Sequence, residues 1–344
     1  GKSVMRCLWG ILGAALVCTV WGLPATPRNT DALPSYNASL VQTSVSGLSS
    51  GGFFAVQMHV AFSSIIVGAG VFAGGPYDCA QGSMTTALTT CMNPLMIKPS
   101  PEKLEKITES RAQDGVIDPV SYLSNSSVFL FSGAMDMTVH RPVMDALNEY
   151  YKHFLPEASV MYETSIQAAH TQPTDDPANK NACSLSASPY LSNCNYDGAG
   201  MALKKIFPFL KPRNEGDLSG TIITFSQDEF FTSSPTSMDS TGYAYVPASC
   251  ASGANCTVHI SFHGCEQYAG TVGTAYVEHS GYNRWADTNN MIVLYPQTTK
   301  SELAPMNPNG CWDWWGYLDN NYDEQAGTQM AGVRKMMDRL AGRT

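Results

Sequence analysis

Between residues 43 and 62 the sequence reads TSVSGLSSGGFFAVQMHVAF, and within it Gly47, Ser49 and Gly51 satisfy the pattern Gly-x-Ser-x-Gly. A β-rich run ends at this pattern and an apolar helical run begins there. Ser49 is therefore expected on a sharp strand-to-helix turn that exposes its hydroxyl. The glycines are needed because such a turn brings strand and helix close together. A serine hydroxyl is a poor nucleophile until a base takes its proton, and the base needs a carboxylate to hold its tautomer. The chemistry in view is acyl transfer.

Where this turn is used catalytically, the partners follow in the order serine, acid, histidine. Asp136 lies just past the apolar run SVFLFSG, and His170 lies in SIQAAHTQPTDD beyond a further strand pattern. Both fall beyond strands, on the side where α/β folds keep their sites. Asp114, Asp118 and Asp145 lie in helical or turn contexts, and His59, His140 and His153 fall on helical patterns. A developing oxyanion also needs backbone N–H donors, one after the nucleophile and one from a loop beyond another strand. Ser50 supplies the first. The second is expected from Cys265 in VHISFHGCEQ, where His263 reads as a structural or oxyanion-loop residue, its alternatives being a core histidine or the base itself.

The elements that must position these groups are legible as alternating patterns. Strands are expected at 41–46, 66–72, 127–132, 158–163, 222–226, 242–246, 257–262 and 291–295. Helices are expected at 51–63, 101–111, 140–153, 199–206, 269–279, 281–289 and 326–341. Such alternation indicates an α/β fold, a mostly parallel central sheet flanked by helices. The oxyanion loop ordinarily precedes the nucleophile, yet here it follows by more than two hundred residues. If the C-terminal strands and helix form the first part of the fold, joining the ends and cutting elsewhere leaves the same packed sheet. The expectation is a circularly permuted α/β hydrolase.

Composition restricts the setting. Of 344 residues 44% are hydrophobic and only 14% charged, against about 25% charged in typical soluble proteins. The net charge is −9 with no Lys/Arg cluster, which excludes a nucleic-acid partner. Residues 5–25, MRCLWGILGAALVCTVWGLPA, have the order of a secretory signal peptide, with Met5 as the start and residues 1–4 as upstream extra. A membrane anchor is the weaker reading, because no basic stop-transfer flank follows. Residues 26–344 show no repeat, low-complexity tract or linker and are read as one catalytic domain, secreted, monomeric and free of the membrane once the signal is removed.

Without Cys7 and Cys18, eight cysteines remain, an even number that suits disulfides in a secreted chain. Spacing favours Cys79–Cys91, Cys183–Cys194 and Cys250–Cys256, leaving Cys265 for Cys311, although sequence alone does not fix connectivity. No C-x-x-C or His-rich spacing suggests a metal, and no cofactor is expected. Asn37, Asn125 and Asn255 are N-glycosylation candidates. Between Cys311 and Tyr322 lie three Trp and two Tyr. Aromatic density of this kind usually anchors a core or loop, but tethering to the oxyanion loop would bring Trp314 and Trp315 near a substrate.

Taken together, SGLSSGGFFA, FSGAMDMTV, AAHTQPT, CNYDGAG, SFHGCEQ and NGCWDWWGY resemble the extracellular polyhydroxybutyrate depolymerases of the single-domain fungal type, over nearly everything after residue 35. The resemblance implies a circularly permuted catalytic domain with Ser49 as nucleophile, Asp136 as orienting acid and His170 as base. It also implies Ser50 and Cys265 amides as oxyanion donors and a tryptophan of the 312–315 cluster in the crevice. The implied substrate is a polyester polymer or oligomer, adsorbed on the catalytic domain's own surface. Two other readings stand beside it: a secreted feruloyl or acetyl esterase acting on plant polysaccharide, and an inactive wall-binding protein, which a broken triad would betray.

Overall fold

The computed structural model describes residues 4–7, 18–21, 31–94, 96–232 and 235–343. The signal-peptide segment lies largely outside the described residues. Of it, only the backbone of Val4–Cys7 and Cys18–Trp21 is described, paired antiparallel.

All eight expected strands enter one sheet: β1 (Ser39–Leu48), β2 (Ile66–Phe72), β3 (Ser127–Phe131), β4 (Val160–Glu163), β5 (Thr221–Ser226), β6 (Thr241–Val246), β7 (Thr257–Phe262) and β8 (Met291–Tyr295). Their order is β5-β6-β8-β7-β1-β2-β3-β4. From β8 to β4 neighbouring strands are parallel, while β6 pairs antiparallel with both β5 and β8. Strands buried on both faces must be apolar throughout, and every residue of β8 is buried. Met291, Val293 and Tyr295 pack into one core while Ile292 and Leu294 pack into the other, the two-residue alternation of a strand serving two faces.

Helices cover both sides. On one face lie α1 (Ser50–Ala61), α2 (Pro101–Gln113), α3 (Arg141–Phe154) and the C-terminal Thr328–Leu340. On the other lie Gly198–Ile206 and Tyr282–Thr288. All twelve residues of α1 are buried, and its polar Gln57 and His59 are hydrogen-bonded there, as a mostly apolar helix covered on every side requires. The expected helix at 269–279 is instead two short helices, Ala269–Val272 and Ala275–His279, divided at Gly273. Gly273 takes φ 62°, a left-handed conformation that glycine adopts without steric cost and that ends a helix.

Two features bear on chain order. Leu340, the last residue of the C-terminal helix, accepts backbone hydrogen bonds at 3.0 Å from Tyr36 and Ala38, just ahead of β1. The end of the described chain thus abuts the start of the central strand, as the permuted arrangement requires. Within the sheet His259 of β7 lies between Ser44 Oγ and Ser46 Oγ of β1, at 2.7 and 2.8 Å. Burial lowers this imidazole to about 3, so it stays neutral and ties β7 to β1.

Candidate active site

Ser49 follows β1 directly, with φ 57° and ψ −123°. This backbone conformation costs a β-carbon-bearing residue on the order of 1–3 kcal/mol. The surroundings enforce it. Ser49 N donates to Phe72 O at 2.9 Å. A Cβ on Gly47 would lie 2.2 Å from Gly51 O, and one on Gly51 would lie 2.3 Å from Phe262 O and 2.4 Å from His263 O. Both glycines are therefore needed: one lets α1 close over β1, the other lets it reach the end of β7.

Asp136 and His170 come from neighbouring strand ends. The loop after β3 is stitched to the loop after β4 by Ala134 N to Ile166 O at 2.9 Å and Met135 N to Ala168 O at 3.0 Å. Gly133 permits this approach, since a Cβ there would stand 2.2 Å from Ala168 O. His170 Nδ1 then lies 2.8 Å from Asp136 Oδ2, and Asp136 Oδ1 accepts the N–H groups of Thr138 at 2.8 Å and Val139 at 3.0 Å. Both side chains are buried. Beyond His170 a small sheet of Gln172–Thr174, Asn181–Ala182 and Leu191–Asn193 and the Cys183–Cys194 bond brace the histidine loop. Strands of two or three residues are too short to leave a period in sequence.

The loop after β7 is held from several directions. Gly264 N donates to Gln267 Oε1 at 2.7 Å and Glu266 N to Asn309 O at 2.7 Å, so the amides flanking Cys265 are both engaged. Gln267 Nε2 crosses to the histidine loop, donating to Pro189 O at 2.9 Å and Tyr190 O at 3.1 Å. Cys265 is bonded to Cys311. His263 receives Thr298 N on Nε2 at 3.2 Å and sets Nδ1 2.7 Å from Gly264 O. With both nitrogens engaged and its pKa lowered by burial to about 4, it is a neutral strut of the loop and is not free to act as a base.

Ser49, His170 and Cys265 line one cleft of about 320 Å³, together with Thr138, Ser186 and Tyr190. The three stretches, spread over more than two hundred residues from Ser49 to Cys265, converge. Asp136 stands behind His170, and Ser50 opens α1. Met92, Cys265 and Asn309 are shared with an adjoining apolar recess of about 480 Å³ that contains Trp314 and Trp315. Trp314 stacks on Phe53 at 3.9 Å and is almost wholly buried. Trp312 is fully buried against Phe54 and belongs to the core. Gln267, Tyr190 and Asn309 were not legible as site residues. Gln267 lies three residues past the His263-Gly264 pair, whereas Tyr190 reaches the cleft only through the folding of the small sheet.

The remaining rivals are elsewhere engaged or displaced. His59 is buried in α1 against Tyr151 at 2.9 Å, with burial lowering it to about 3. His153 faces Glu105 and Glu109. His140 precedes α3 as its N-cap and does not lie on the helix. Asp145 accepts Tyr162 OH at 2.8 Å, and Asp118 accepts Ser64 N. Asp114 caps the C-terminus of α2. The other expected cysteine pairs, Cys79–Cys91 and Cys250–Cys256, are also bonded.

No family model matches the chain. It is 48% identical over 338 residues to a poly(3-hydroxybutyrate) depolymerase of Delftia acidovorans, covering 96% of this chain and 65% of that protein. It is 44% identical over 314 residues to a polyhydroxybutyrate depolymerase of Talaromyces funiculosus, covering 88% of this chain and 90% of the relative. The crystal structure of a PHB depolymerase from Penicillium funiculosum superposes with a TM-score of 0.84 at 43% identity, over 91% of this chain and 99% of that one. A serine-to-alanine variant of a PHB depolymerase complexed with an R3HB trimer matches equally well. The chain thus spans slightly under two thirds of the bacterial relative and most of the fungal one.

Proposed function

The chain belongs to the polyhydroxybutyrate depolymerases, and from that premise we propose that it is a secreted serine esterase hydrolysing poly(3-hydroxybutyrate) to hydroxybutyrate and short oligomers. The observation that carries this reading is the 2.8 Å contact between His170 Nδ1 and Asp136 Oδ2 beside a cleft that also contains Ser49. In this mechanism Ser49 Oγ attacks the ester carbonyl carbon and His170 Nε2 takes its proton, while Asp136 holds the imidazole and balances its charge. The tetrahedral oxyanion is met by the N–H groups of Ser50 and Cys265. Collapse breaks the ester bond, the leaving alkoxide takes the proton from His170, and water then releases the acyl group from Ser49 by the same steps in reverse. The residues named supply every proton transfer in this sequence.

Binding is assigned to the recess beside the cleft, with Trp314 and Trp315 in its wall. Exposed Met84, Leu88 and Met306 stand with them, and exposed Met135 and Met137 flank Asp136. An apolar rim of this kind marks a contact surface and suits adsorption to an apolar polymer. The four disulfides support an extracellular setting. Among the described residues no helix is long and apolar enough to cross a membrane.

The test compares clearing of a poly(3-hydroxybutyrate) suspension with hydrolysis of methyl ferulate, for the parent and for Ser49→Ala. Clearing by the parent, lost by at least about 10⁴-fold in the variant while adsorption persists, is expected. Ferulate release without clearing would transfer the assignment to a feruloyl esterase.

A further inference from the structure

Each of the three Asn-X-Ser/Thr sequons ends on the first residue of a parallel strand. Asn37-Ala38-Ser39 leads into β1, Asn125-Ser126-Ser127 into β3 and Asn255-Cys256-Thr257 into β7. All three asparagines are exposed. Ser49, Asp136, His170 and Cys265 all follow the C-terminal ends of parallel strands, so the sequons occupy the opposite edge of the sheet. Across the six residues of β7 and the five of β3, at about 3.3 Å each, the two edges are about 16–20 Å apart. In the sheet order β7-β1-β2-β3, at about 4.8 Å between strands, the three sites fall within about 15 Å of one another.

A second feature of that edge gives the clustering a consequence. Phe209 is 96% exposed and, with Phe207 and Leu210, lines a hollow of about 550 Å³. Asn125 and Thr257, from two of the three sequons, line the same hollow. For an enzyme whose substrate is an apolar solid, an exposed aromatic on the far side is a competing point of adsorption, and a molecule attached there holds its cleft away from the polymer.

We propose that Asn37, Asn125 and Asn255 are N-glycosylated and that their glycans cover this edge, with that on Asn125 lying over Phe209, so that the catalytic face alone meets the polymer. This rests on the reading of the chain as a secreted depolymerase. In each transfer the asparagine amide nitrogen bonds to the anomeric carbon of an oligosaccharide. The bond from that carbon to a lipid-linked diphosphate breaks, the diphosphate leaves, and the amide gives up one proton.

The experiment uses the full chain secreted from a glycosylating eukaryotic host. Enzymatic release of glycans in heavy-oxygen water, followed by peptide mapping, is expected to mark all three asparagines. Glycan-trimmed protein and Asn125→Gln are then compared with the parent for turnover of a soluble ester and for clearing of a poly(3-hydroxybutyrate) film per adsorbed molecule. Soluble turnover should be unchanged while clearing per adsorbed molecule falls roughly twofold, as two opposed faces now compete. Adding Phe209→Ser to Asn125→Gln should restore it. An unmarked Asn125, or clearing unaffected by trimming, overturns the proposal. Trimming acts on folded protein, which separates the result from any folding defect of the variant. Occupancy is read without substrate, so a failure of the glycan layer and a failure of the depolymerase reading register in different arms.

Discussion

His170 and Asp136 meet through one carboxylate oxygen at 2.8 Å, while the other oxygen is held by the N–H groups of Thr138 and Val139. The carboxylate therefore has one orientation, and that orientation selects the imidazole tautomer with its proton on Nδ1 and its lone pair on Nε2. Asp136→Asn retains an oxygen for the two backbone donors but can turn an N–H toward Nδ1. The expected outcome is a loss of about 10⁴-fold in kcat on a soluble ester with a nearly unchanged melting temperature, checked by initial rates and calorimetry on the same preparation.

Gly133→Ala should separate activity from folding in a graded way. Its Cβ would meet Ala168 O at 2.2 Å and Ala169 O at 3.1 Å, backbone atoms that cannot swing aside, so the acid loop and the histidine loop must part. A misplacement of about 1 Å is enough to cost on the order of 10²-fold in rate, and the strain should lower stability by about 1–3 kcal/mol. Retention of full kcat would show that the contact between these loops does not position His170.

Gln267 acts through its neighbours. Its carbonyl holds Gly264 N and its amide reaches Pro189 O and Tyr190 O, fixing the loop that presents the Cys265 amide. Gln267→Ala should lower kcat by about 10- to 100-fold, less than outright loss of an oxyanion donor, with KM for a soluble ester little changed. A rise in KM at constant kcat would assign the residue to ground-state binding instead.

Asp78 gives stability a signed dependence on pH. It accepts a short hydrogen bond from Tyr322 OH and lies near Asp323 and Arg111. Burial, foremost, and the Asp323 charge raise its carboxyl to about 7. A group whose folded pKa lies above its unfolded value, about 3.9 for aspartate, contributes stability that is complete below the unfolded pKa and is lost as pH rises through the folded one. Asp78→Asn should therefore be more stable than the parent above about pH 7, by on the order of a few kcal/mol, with the advantage shrinking toward pH 4. Denaturant midpoints measured across that window test it, and an advantage independent of pH would contradict the cause given.

Much of the scaffold was legible because its signals are local. Eight apolar runs became eight strands of one sheet, since a parallel strand buried on both faces has no choice but to be apolar. Gly47 and Gly51 pointed to the elbow for the steric reason the structure displays, a backbone approach that leaves no room for a Cβ. The helix expected at 269–279 failed at Gly273, where one left-handed residue outweighed the surrounding propensity. His263 had two competing readings from its place at a strand end. Its engagement by Thr298 N and Gly264 O depends on residues 35 positions away and next door, respectively, and only their meeting in space decides its role.

The sequence by itself determined the eight strands of the main sheet, the elbow at Ser49 and the family, because periodicity, glycine placement and motif order are written along the chain. Only the tertiary structure decided that Tyr190 and Asn309 complete the cleft wall with Gln267 bracing it from behind, that Trp312 is core while Trp315 stands in the recess, and that three sequons share one edge. Those facts depend on which strand ends lie side by side. That is set by the packing of the whole sheet, including the contact of Leu340 with Tyr36 and Ala38 that brings the chain's last helix to its first central strand.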